Sequence, residues 1–96
     1  MTVREKCKFT RNEITQFLED SLIGTRNLFA GNLIRQPAYI GKPWRLGDEL
    51  AGVPHSDIVM ERTFWIGCHP SMTRKMLDYI VEKFVEFTNK YEASEN

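Results

Sequence analysis

The residues with the widest chemical reach sit close together, in Gly24-Thr25-Arg26-Asn27-Leu28-Phe29-Ala30-Gly31-Asn32-Leu33-Ile34-Arg35-Gln36-Pro37. Here Arg26, Asn32, Arg35 and Gln36 supply strong hydrogen-bonding groups between aromatic and aliphatic ones. A guanidinium group is planar and presents parallel donors, so two arginines beside a Gly31-Asn32 turn suit a phosphate or a carboxylate. The competing reading makes Arg26 a solvated strand residue paired with a local carboxylate such as Glu61, and Arg35 a surface helix residue.

The other reactive side chains do not assemble into a site. Cys7, His55, Cys68 and His69 lack Cys-x-x-Cys and His-x-x-x-His spacing, so no metal centre is expected. On a strand, Cys68 and His69 would point to opposite faces, which is no nucleophile–base pair. Cys68 is expected in the core, Cys7 at the surface, and His69-Pro70 in a strand-to-helix turn. No glycine-rich phosphate-cradling motif is present. Lys+Arg and Asp+Glu number 13 each, so the net charge is zero. That argues against a general grip on nucleic acid or an anionic membrane. Trp44, Trp65, Arg45 and Arg62 form no basic aromatic stripe either. No apolar run has the length of a membrane span and the N-terminus has no signal-peptide pattern; with two cysteines, a cytoplasmic location is expected.

Ninety-six residues, 42% hydrophobic and 27% charged, suit one folded domain. Thr10 and Glu13 have capping-box spacing, and Ile14, Phe17, Leu18 and Leu22 follow on one helical face, with Gly24 as the expected left-handed cap. Thr2-Val3-Arg4 reads as a short strand, and residues 25–29 as a second. A helical turn is expected around Leu33–Gln36, within a long ordered loop that reaches Pro54. Ser56 is placed to cap a short helix ending at Met60 or Arg62. Thr63-Phe64-Trp65-Ile66-Gly67-Cys68, the densest apolar run, is the expected central strand. Met72, Met76, Tyr79, Ile80, Phe84, Phe87 and Tyr91 then form a long helical stripe. Arg74 and Lys75 oppose the dipole at that helix's start. The expected architecture is α+β: a small three-stranded, largely antiparallel sheet with helices on one face. Residues 1–91 form one unit and 92–96 a frayed tail.

Several stretches resemble the C-terminal segment of the DegT–StrS family of vitamin B6-dependent nucleotide-sugar enzymes. They are Phe9-Thr10-Arg11-Asn12-Glu13-Ile14; Ile23-Gly24-Thr25-Arg26 with Leu28-Phe29-Ala30-Gly31-Asn32-Leu33 and Arg35-Gln36-Pro37; Met60-Glu61-Arg62-Thr63-Phe64-Trp65-Ile66-Gly67; and His69-Pro70 with Met76-Leu77-Asp78-Tyr79. They follow the family's order and span almost the whole chain. The Gly31–Pro37 loop is most similar to the CDP-6-deoxy-4-hexulose 3-dehydrase branch, which serves lipopolysaccharide deoxysugar synthesis.

The resemblance implies the small C-terminal domain of a fold-type I aminotransferase-like enzyme. It implies pyridoxal or pyridoxamine phosphate, and in the dehydrase branch an iron–sulfur cluster, all held by a large domain outside the matched segment. No cofactor is expected in this chain. By the same resemblance, Arg26, Asn32, Arg35 and Gln36 lie near the nucleotide-sugar substrate, and the partners are the large domain and a second copy in a homodimer. The chain is then a detached domain, inactive alone. The rival expectations are a free-standing module for an anion or a protein, and a piece of a nucleotide-sugar aminotransferase. Detachment implies uncovered apolar surface, expected on the loop with Tyr39, Ile40, Trp44 and Leu46.

Overall fold

The computed structural model describes residues 1–43, 45 and 52–93. Its elements are α1 (Arg11–Asp20), β1 (Thr25–Asn27), a 3-10 turn (Leu33–Arg35), α2 (Pro54–Arg62), β2 (Phe64–Ile66) and α3 (Arg74–Ala93). The fold is α+β with a two-stranded antiparallel sheet and three α-helices among the described residues. Trp44, Leu46 and the tail residues 94–96 lie outside the described residues.

Helix α1 starts as its sequence dictates. Thr10 Oγ1 accepts from Glu13 N–H, and Glu13 reaches back to Thr10 N–H, closing the capping box. Its C-terminal end differs from expectation. Leu22, not Gly24, takes the left-handed conformation, at φ 65°. Ile23 N–H donates to Leu18 C=O at 2.8 Å and Leu22 N–H to Glu19 C=O at 3.0 Å, the paired bonds of a Schellman cap. That cap drives Ile23 onto Leu18, and both are buried. It leaves Leu22 94% exposed. A Cβ in this conformation costs about 1 kcal/mol relative to glycine.

β1 and β2 pair in the register Thr25↔Ile66, Arg26↔Trp65, Asn27↔Phe64. The third expected strand is reduced to one bridge, Thr2↔Thr63. Phe64 N–H donates to Met1 C=O and Val3 N–H to Arg62 C=O, both at 2.9 Å, before the chain turns at Arg4–Cys7. The basic segment that follows prefers water, so the pairing stops after one bridge.

Alternation along β2 sorts its faces. Phe64 is 2% exposed and Ile66 half-buried, whereas Trp65 points outward at 46%. The core joins Val3, Ile14, Leu18, Ile23, Phe64 and Phe87, with Phe9, Phe17, Ile66, Ile80, Phe84 and Tyr91 around it. Phe87 meets Phe9 edge-on at 4.8 Å and packs on Phe17 and Tyr91 at 5.2 and 4.7 Å. Thus α1 and α3 cover one face of the sheet. Within the α3 stripe Phe87 is buried deeply, Phe84 and Ile80 only in part, and Met76 is exposed. Tyr91 O–H donates to Glu13 and ties the end of α3 to the start of α1.

α2 begins with Pro54 at its first turn and without a side-chain cap; Ser56 does not cap it. Cys68 is exposed, like Cys7, which corrects its expected burial. β2 stops at Ile66, so Cys68 lies beyond the pairing that would have covered it.

Candidate functional site

The turn Phe29–Gln36 is built by local geometry that few sequences tolerate. Ala30 and Gly31 are both left-handed, at φ 63° and 60°, and Gly31 N–H donates to Phe29 C=O at 2.7 Å. Gly31 is required twice over. Its conformation favours glycine, and a Cβ there would lie 2.8 Å from Cβ and Cγ of Met60. Gln36 Nε2 donates to Ala30 C=O at 2.6 Å and closes the turn from its far end.

Asn32 is 2% exposed and fully engaged. Its Oδ1 accepts from Ile34 N–H at 3.2 Å, capping the 3-10 turn, and its Nδ2 donates to Asp57 Oδ1 at 2.8 Å. The same Asp57 oxygen lies 3.0 Å from Arg35 Nε, and Arg35 Nη1 is 3.8 Å from Glu61. Asp57, Met60 and Glu61 stand at i, i+3 and i+4, one face of α2, and this face clasps the turn. Arg35 keeps a half-exposed side chain. Asn32, Arg35 and Gln36 therefore come together, and the first and last of them hold the turn itself.

Arg26 stands apart. It lies on β1 opposite Trp65, on the outer face of the sheet. Phe29 meets Trp65 edge-on at 5.5 Å on that surface. Glu61 takes Arg35, not Arg26; the acidic neighbour of Arg26 is Glu19. Glu19 accepts from Thr25 N–H and Oγ1 at 2.7 and 2.9 Å. These bonds, aided by the Arg26 charge, hold the Glu19 carboxyl below its ordinary range. The sequence reading missed Asp57, whose signal was its i, i+3, i+4 spacing to Met60 and Glu61.

Elsewhere, His69 Nδ1 accepts from Ser71 N–H at 3.1 Å and lies 2.7 Å from Ser71 Oγ, so this histidine shapes the strand-to-helix turn. Among the described residues no group of three potential ligands could hold a metal ion, and no helix is long and apolar enough to cross a membrane.

Residues 1–85 match the DegT/DnrJ/EryC1/StrS aminotransferase family. The chain belongs to this family. It is 46% identical over 87 residues to the lipopolysaccharide biosynthesis protein RfbH of Salmonella typhimurium, covering 91% of this chain and 19% of that protein. It is 44% identical over 90 residues to dTDP-4-dehydro-2,6-dideoxy-D-glucose 3-dehydratase of Saccharopolyspora spinosa, covering 94% of this chain and 19% of that enzyme. The chain thus spans about a fifth of the length of the curated relatives it matches.

DegT/DnrJ/EryC1/StrS enzymes depend on pyridoxal phosphate, which needs an amine or its replacement, an acidic partner for the pyridine nitrogen and a phosphate cradle. The described clefts do not combine these. The groove beside α3 offers Lys75 without a carboxylate, the cleft of Arg4, Arg11 and Glu61 has no lysine, and the cleft of Glu19 and Arg26 has none either. An iron–sulfur cluster takes four thiolates, and Cys7 and Cys68 line different clefts. Among the described residues, these clefts fit neither group.

Proposed function

We propose that this chain is the substrate-closing C-terminal part of a nucleotide-sugar 3-dehydratase of lipopolysaccharide deoxysugar synthesis, inactive without the rest of the enzyme. The observation that carries the reading is one of proportion: 44–46% identity runs over more than nine-tenths of this chain yet covers 19% of each relative. The cofactor belongs to the remainder, a cytoplasmic, dimeric enzyme in this reading, as does any iron–sulfur cluster. This chain's contribution is binding. The exposed edge of Arg35 faces the substrate's diphosphate, Asp57 fixes the guanidinium through Nε, and Asn32 and Gln36 hold the turn's shape. Arg26 offers a second cation from the outer face of the sheet.

The test is a graft in which this chain replaces the matched segment of the Saccharopolyspora 3-dehydratase. In an active graft, Arg35→Ala raises KM for the nucleotide sugar at least about tenfold. Stability changes by no more than the roughly 0–1 kcal/mol of an exposed ion pair. An unchanged KM removes Arg35 from the site.

A further inference from the structure

An apolar groove lies away from the Arg35 turn. With a volume of about 770 Å³, it runs between the α1 cap and the start of α3, lined by Leu22, Ile23, Cys68, Met72, Met76 and Tyr79. Lys75 and His69 stand at its edge. Leu22 is the telling residue. It is 94% exposed, so its side chain adds nothing to this chain's own core, yet it holds a backbone conformation that favours glycine. Met76 is 53% exposed on the same groove. Around α3, the apolar arc continues past the core-facing Ile80, Phe84 and Phe87 to Leu77, Val81 and Val85, all exposed. This chain covers only half of its own apolar arc.

We infer that the Leu22–Met72–Met76 groove is the seat of the longer enzyme's remaining part, which inserts an apolar segment with a carboxylate at its edge to meet Lys75. The inference rests on the reading above, and it commits to that occupant because the relatives place about four-fifths of their length outside the matched segment. Methionine suits such a seat, since its unbranched side chain adapts to an incoming surface. The long loop uncovers apolar surface as expected, at Tyr39 (51% exposed) and Ile40 (64%), but contributes none of the groove's named lining residues.

Methionine oxidation reads the seat directly. In the free chain, peroxide should oxidise Met76 readily. In the grafted 3-dehydratase, Met76 oxidation should slow about tenfold or more while the exposed Met1 reports reagent strength. Leu22→Asn, which this left-handed site accommodates without placing a charge at the end of α1, should leave the free chain's melting point unchanged and restore Met76 oxidation in the graft. An active graft with Met76 oxidised at the free-chain rate overturns this inference and leaves the functional reading standing. An inactive graft with Met76 protected supports the seat and overturns the functional reading; an inactive graft with Met76 exposed overturns both. Concentration-dependent protection of Met76 in the free chain, with a dimer by sedimentation, assigns the groove to a second copy and overturns the occupant proposed.

Discussion

Replacing Leu22 separates this chain's own stability from its fit to another surface. In an ordinary helix interior, alanine is more stable than glycine by about 0.8–1 kcal/mol. At Leu22, with φ 65°, the order should invert. Leu22→Gly removes a left-handed cost of about 1 kcal/mol, partly offset by about 0.4–1 kcal/mol from the freer unfolded chain. Loss of the side chain itself costs nothing, because it is 94% exposed. The net change from leucine to glycine is thus between zero and about 0.6 kcal/mol stabilising, while Leu22→Ala retains the strain and should be neutral. For a domain of this size, 1 kcal/mol moves the melting temperature by about 4–8 °C. Circular dichroism melts of the three proteins decide it. Alanine more stable than glycine would refute both the cap assignment and the argument that Leu22 is unsupported within this chain.

Other substitutions probe the core and the clasp. Phe87→Ala should destabilise by about 3–5 kcal/mol, and Phe84→Ala by clearly less because Phe84 is only partly buried, as denaturant titrations would read. Gly31→Ala should cost about 1–3 kcal/mol, because its Cβ would meet Met60 in a left-handed turn; a change under 0.5 kcal/mol would contradict that contact. Glu13, through its bond from Tyr91 first, and Glu19, through Thr25, have carboxyls held below their ordinary value of 4.5. Their contribution is present above that value and lost as pH falls through the lowered ones. Melting temperature should therefore drop on acidification below about 4.5, and Glu13→Gln should flatten part of that drop.

Local signals carried most of what was legible. The Thr10–Glu13 box, the turn at Leu33 and the place of Phe87 on the α3 stripe depend on neighbours within a few residues, which a pattern records; the same pattern left α2 ending at Met60 or Arg62 and did not say which face of β2 turns inward. What the pattern hid was long-range. Leu22 rather than Gly24 takes the cap because Ile23 must reach Leu18, and apolar spacing alone made Leu22 a core residue. The first strand shrinks to one bridge because Lys6 and Lys8 follow it into solvent. Met76 fits the stripe but is left 53% exposed. Asn32 and Arg35 were legible as polar groups of the candidate site, whereas their shared hold on Asp57 joins segments 22–25 residues apart and left no local trace.

In the proposed function this chain is an interchangeable fifth of a nucleotide-sugar 3-dehydratase. The most direct measurement is turnover of dTDP-4-dehydro-2,6-dideoxy-D-glucose by the purified graft, supplied with the cofactor. The graft should carry out 3-dehydration and the 96-residue chain alone should not. A graft that folds with a single cooperative melt yet shows no turnover, or turnover by the isolated chain, would contradict it.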